Sequence, residues 1–179
     1  MYLTTPWIAL ASALLLACAA PAASTPLHEV PTDGGRADDL AWIRALVKGL
    51  GDGTLTRARA VSALGDDGGA DPTHEGGRIV RPRNRTIASA LVYPLPHIAT
   101  PVAIELDFAR GAEPSLDAIA RSVGELRPLP RAPDDFSSGE RLARYVDRDD
   151  TKITVRVIAE LDRESKRVAK LFVDASRRE

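Results

Sequence analysis

One cysteine, one methionine and three histidines are all that this 179-residue sequence offers of the residues that carry most metal and nucleophilic chemistry. A single thiol, Cys18, excludes a disulfide within the chain, so the fold must be held by its core. His28, His74 and His97 are scattered, and none has a second His, a Cys or a carboxylate at ligand spacing such as H-E-x-x-H. His74-Glu75 lacks both the helical context and the returning His. Trp, Tyr and Phe together number eight, too few for an extended stacking platform for bases or sugars. Charge of one sign is also missing. Lys and Arg total 24 against 25 Asp and Glu, a net of −1, which argues against a nucleic-acid footprint and against a field that steers an ionic substrate. No G-x-S-x-G is present, and Ser137-Ser138-Gly139 sits in a polar turn with no placed base. Asp134-Asp135 and Asp149-Asp150 read as solvated turn carboxylates. No Gly-rich loop follows a strand and precedes a helix. The expectation is a protein that is not an enzyme and uses no cofactor.

A long hydrophobic run is absent too. From Trp7 to Ala20 the chain reads WIALASALLLACAA, about 14 residues where a spanning helix needs about 20. A short apolar core followed by small residues is the pattern of an export signal. Its end, Leu15-Leu16-Ala17-Cys18, resembles the bacterial lipobox: an aliphatic residue, a tolerated second residue, a small residue, then the cysteine. That resemblance implies lipidation of the Cys18 sulfur and cleavage between Ala17 and Cys18. Two features depart from the family pattern: Met1 to Pro6 carries no Lys or Arg, and Leu16 stands where a smaller residue is usual. The competing reading is a conventional signal cut near Ala20-Pro21-Ala22. Multiple acylation at one residue is enough for stable membrane attachment, and Ala19 after the cysteine implies the outer membrane, on its periplasmic face.

The organisation expected is therefore a signal peptide over 1–17, a lipidated tether over 18–36 and a periplasmic domain over 37–176. The tether is rich in Ala, Pro, Ser, Thr and Gly. From Asp38, with Asp38 or Asp39 as cap, Leu40, Ile43, Val47 and Leu50 recur at helical spacing until Gly49 and Gly51. A second helix is expected from a Thr54 or Thr56 cap, with Leu55, Ala58, Val61 and Leu64 on one face and Gly65 at its end. Asp66 to Pro72 has the composition of a loop, and its acidic residues Asp66, Asp67 and Asp71 invite a weakly held ion although the EF-hand positions are missing. Arg78 to Pro82 and Thr86 to Val92 read as strands, the latter with Ile87 and Leu91 on one face and Val92 on the other. Val102 to Phe108 alternates without a fault, the mark of a strand buried on one side. Ser115 caps a helix striped by Leu116, Ile119, Ala120 and Val123 and closed by Gly124. Arg127 to Pro133 reads as an extended linker. Arg141 to Val146, Lys152 to Leu161 and Arg167 to Asp174 then form a meander joined by Asp-rich turns.

This order predicts a two-layer α+β fold, with helices packed on one face of an antiparallel sheet. Thr54-Leu55 leading to Gly65 echoes Ser115-Leu116 leading to Gly124, which suggests a duplicated helix-strand unit. The element order resembles the BamE-type outer-membrane assembly lipoproteins and the β-lactamase-inhibitor proteins, in which helix pairs precede meanders. The resemblance implies a non-catalytic envelope protein acting by protein–protein contact, as an assembly accessory or as an inhibitor or immunity protein. Arg78, Arg81, Arg83 and Arg85 in RIVRPRNR, and Phe136 in the segment Arg131 to Ser138, are the candidate partner contacts. Arginine and proline on an edge strand serve equally well to prevent edge pairing. Asn84-Arg85-Thr86 matches a glycosylation sequon, read as chance. The rival class is a small-ligand or lipid carrier, which would need a pocket between helices and sheet.

Overall fold

The structure, a computed structural model, describes residues 40–94, 102–130 and 139–177. Cys18, the tether, the Asp38/Asp39 cap, His28, His97 and Phe136 all lie outside the described residues.

In order, the elements are α1 (Ala41–Gly51), α2 (Arg57–Leu64), β1 (Gly65–Ala70), β2 (Arg78–Pro82), β3 (Ile87–Pro94), β4 (Val102–Phe108), α3 (Leu116–Val123), β5 (Arg127–Pro128), β6 (Arg141–Arg148), β7 (Ile153–Leu161) and β8 (Val168–Arg177). All eight strands join one open antiparallel sheet in the order β1-β2-β3-β4-β8-β7-β6-β5. It is two meanders side by side, joined where β4 pairs with β8. Of the described residues 45% are strand and 22% helix. The balanced two-layer α+β expectation is thus corrected to a β-rich fold: an eight-stranded open sheet carrying three short helices. Part of the error lies in Asp66 to Ala70. Its Gly and Asp content mimics a loop, but the segment pairs with β2 as an edge strand, bulged between Asp67 and Gly69. Glycine costs a strand less where a bulge relieves the regular ladder.

Two further corrections have local causes. Gly49 does not end α1. The helix runs on through Gly51, and the Gly49 carbonyl accepts from the amides of Thr54 and Leu55 just beyond. In β3 the register shifts between Ile87 and Ser89, so Ile87 shares the buried face with Ala90 and Val92, and Leu91 points the other way. Strict alternation from Ile87 cannot anticipate such a bulge.

Where the periodicity is clean, the elements form as expected. Thr56 caps α2 by accepting from the Arg59 amide, and Ser115 caps α3 by accepting from the Ala118 amide. Leu55 precedes its helix and is buried beneath it. Val102, Ile104, Leu106 and Phe108 on β4, and alternate residues from Ile153 to Leu161 on β7, face one cluster with Leu171 and Val173. Trp42, Ile43, Leu46 and Leu50 of α1 close that cluster from the helical side. Burying each such side chain is worth about 1.5–3 kcal/mol, so this one face supplies most of the stability. Polar ties fix the helices on it. Arg44 donates to the carbonyls of Arg121 and Ser122 at 2.9 and 3.2 Å, holding the C-terminal end of α3 to α1. The Thr151 hydroxyl donates to the Gly51 carbonyl at 2.7 Å, and Arg148 pairs with Asp52, so the β6–β7 turn is pinned to the end of α1.

Candidate functional site

The sheet's second face is the one on which the three helices do not lie. Successive strand residues alternate between faces, so register alone assembles it. Directly paired residues place Tyr93 opposite Ala103, Asp174 opposite Arg156, and Arg156 opposite Tyr145. Because Ile104 pairs with Val173, Ala103 continues the row to Asp174. One step along lie Leu91, Glu105, Phe172, Ile158 and Ala143, and beyond them Ser89, Asp107, Lys170, Glu160 and Arg141. Ala103, Ala143 and Ile158 are buried yet stand apart from the core cluster.

Arg156 is the centre. Its Nε and Nη2 reach the two Asp174 carboxylate oxygens at 3.1 and 2.5 Å, and its guanidinium lies 5.7 Å from the centre of the Phe172 ring. A bidentate pair of this kind is strong and fixes the plane of the guanidinium. Asp174 beside it raises the pKa of Arg156 further, against the desolvation that works the other way. Burial pushes the Tyr93 hydroxyl up as well, helped by the charges of Glu105 and Asp174. Lys170 is held charged by Asp107, 3.1 Å away, with Glu105 at 3.8 Å. Between Phe172, Ile158 and these ions lies a groove of about 360 Å³.

The His74 ring stacks on Tyr93 with centroids 4.4 Å apart, and its Nδ1 meets the Asp71 carboxylate at 2.5 Å. Desolvation opposes the charge on Asp71, but the Thr73 amide and the His74 and Thr73 side chains together hold its carboxyl below the usual range. The acidic segment is neutralised in a similar way: Arg78 grips Asp67, lowering its carboxyl pKa, and Arg83 pairs with Asp66 at 3.1 Å. Among the described residues no group of three His, Cys, Asp or Glu side chains is placed to hold a metal ion.

The four arginines of RIVRPRNR do not form one stripe. Arg78 and Arg81 stand three apart on β2 and so take opposite faces, while Arg83 and Arg85 follow the strand. Arg81 and Arg85 are exposed. Asn84 is buried, its amide oxygen accepting from the Thr86 amide and hydroxyl at 2.9 and 2.8 Å, so it shapes the turn between β2 and β3. The outer face was missed by sequence reading because it is assembled across five strands. A signal for it was present: Arg156 and Phe172 each occupy the polar-facing phase of an otherwise clean alternation. No helix of the described residues is long and apolar enough to cross a membrane.

No protein-family model matches this chain, and no curated protein or solved structure matches it.

Proposed function

We propose that this chain is a lipid-anchored lipoprotein of the periplasmic face of the outer membrane that acts without catalysis, by contact with an envelope protein through the outer face of its sheet. One observation carries the contact: Tyr145 and Phe172 flank Arg156 on the face away from the helices, and Tyr93 lies in the same row three strands away, so three of the eight aromatic residues share that face. Tyr and Arg are the residues over-represented where binding energy concentrates, and a pre-fixed guanidinium loses little entropy on docking. The anchor rests on the Leu15-Leu16-Ala17-Cys18 lipobox and on Ala19. Assembly accessory and inhibitor or immunity protein are the two roles such a face serves. The carrier alternative is less well supported, because the described space between helices and sheet is filled by Trp42, Leu46, Leu50, Ile104, Ile119 and Leu171.

Two measurements test the reading. Membrane-extracted protein labelled with a fatty acid should begin at Cys18 and carry about three acyl chains, as multiple acylation at that residue requires, and Cys18→Ser should lose them. A chain that begins near Ala23 without lipid would sink the anchor. Photocrosslinkers placed at positions 93 and 145 should give the same envelope adduct, and one at Arg59 on the exposed side of α2 should not. Equal labelling from both sides, or none from the sheet, would sink the contact face.

A further inference from the structure

Both large hydrophobic side chains that stand exposed among the described residues, Ile79 at 42% and Tyr145 at 55%, belong to the outer face of the sheet. They lie toward its two sides, on β2 and β6. A row of one residue per strand crosses that face: Ile79, Leu91, Glu105, Phe172, Ile158 and Ala143, apolar except at Glu105. The residues two places along each strand, on either side of the row, have opposite characters. On β8 Asp174 stands on one side and Lys170 on the other. On β7 the order is reversed, with Arg156 on the first side and Glu160 on the second, and on β6 the two are Tyr145 and Arg141. Each of these strands thus carries, on one side of the row, a group that complements the group on the other. Arg156 is paired with Asp174 and Lys170 with Asp107, so these ions are already neutralised within the chain. The cations of the three rows are Arg81, Arg127, Arg141, Arg156 and Lys170. The carboxylates are Asp66, Glu105, Asp107, Glu160 and Asp174, with Asp147 one row beyond. A face so nearly neutral offers no field to a strongly charged partner.

We infer that the partner of this face is a second copy of the same chain, docked sheet to sheet about a two-fold axis that runs along the Ile79-to-Ala143 row, across the strands. Such an axis sets each strand against its own copy in the reverse direction. A residue on one side of the row then meets the residue on the other side of the same strand. Asp174 faces Lys170 of the second copy, Arg156 faces Glu160, and Tyr145 faces Arg141, and symmetry makes each match occur twice. Phe172 and Ile158 pack on their own copies. Two sheets packed face to face lie about 10 Å apart with their strands nearly aligned, which this reversed arrangement permits. The axis also sets Glu105 and Arg127 against themselves. Lys170 lies 3.8 Å from Glu105, and Arg127 is exposed at the sheet's edge, where water screens the repulsion. Six strands and three rows span only about 25 by 15 Å. A footprint of that size fits a reversible dimer, and anchoring both copies in one membrane raises their effective concentration. The inference rests on the contact reading above and names the partner.

The test uses the full-length, detergent-extracted protein in a density-matched detergent. Sedimentation equilibrium over about 1–100 μM, where small interfaces associate, should show a monomer–dimer equilibrium. Tyr145→Arg sets a second cation against Arg141 of the other copy, twice over, and should weaken the dimer at least tenfold. Tyr145→Glu sets an anion there and should hold or tighten it. Position 145 is exposed, so both variants should keep the far-ultraviolet circular dichroism of the unaltered chain. Nitroxide labels at Ile79→Cys lie on the axis and should sit within about 20 Å of one another, the sheet spacing plus two label arms. Labels at Ser62→Cys, on the exposed side of α2, should be much farther apart. A monomer at every concentration, equal effects of Tyr145→Arg and Tyr145→Glu, or a longer separation at position 79 than at position 62 would overturn the inference. Failure of the parent reading looks different. Crosslinks from positions 93 and 145 into a different envelope protein, with this chain monomeric, overturn the dimer and leave the contact face standing, whereas no crosslink from the sheet overturns the face itself.

Discussion

Arg156 on β7 and Asp174 on β8 stand directly opposite one another and share a two-pronged ion pair, with Asp174 almost buried and Arg156 side chain 41% exposed. The asymmetry sets what each contributes. Removing Arg156 strands a buried carboxylate, and the exposure of the guanidinium screens part of the pair's attraction. Arg156→Leu keeps much of the packing over Phe172 and should cost about 1–2 kcal/mol. A double-mutant cycle with Asp174→Asn in urea unfolding should give a coupling of about 1 kcal/mol, and strictly additive losses would count against the pair as a structural unit.

Trp42 is buried with no partner for its indole N–H among the described residues, while Ile43 beside it is wholly apolar and fully enclosed. Trp42→Phe leaves a small void but removes an unpaired polar group whose burial costs about 1–3 kcal/mol, so the two effects offset. Stability should stay within about 1 kcal/mol of the unaltered protein, whereas Ile43→Ala should lose about 3–4 kcal/mol. Comparable losses would mean that the indole nitrogen is satisfied.

Thr56 and Ser115 each accept from the third amide of an eight-residue helix, in separate parts of the molecule. Thr56→Ala and Ser115→Ala should each cost about 1 kcal/mol. Their sum should hold in the double variant, because distant sites add. Thermal melts of the three variants read this directly.

The carboxyls of Asp67, Asp71 and Asp162 are held below the ordinary value of 3.8, Asp67 mainly by Arg78 and Asp162 mainly by the Ser165 amide. Stability from these groups is present above pH 3.8 and fades as pH falls through their lowered values. Lys170 and Tyr93 are raised above 10.5 and 10.0, by Asp107 and by burial respectively, so their contribution is full below those values and fades as pH climbs past them. Urea midpoints should therefore form a plateau at neutral pH with an acid limb and an alkaline limb. Asp67→Asn should shrink the acid limb alone, and Lys170→Met the alkaline limb.

Much of the domain was legible because three of its strands and two of its helices carry one uninterrupted period each. β4 and β7 alternate cleanly, and the Ser115-to-Gly124 frame fixes α3 at both ends. What escaped has a physical cause in each case. β1 reads as a loop since nothing in GDDGGA prefers a strand; it becomes one because Arg78 and Arg83 hold its aspartates against β2. Leu91 was assigned to the wrong face because a bulge leaves no mark in composition. The candidate site escaped most completely. Asp174 and Arg156 are 18 residues apart, and only the hairpin register makes them partners.

The seam between β4 and β8 has a consequence for how the chain is made. β4 pairs on one side with β3 and on the other with β8, the most C-terminal strand among the described residues. A polypeptide emerging from its amino end thus carries an incomplete sheet until β8 appears. Vectorial synthesis and completion of the fold are separated in time, and the ten residues Val168–Arg177 act as the closing stroke.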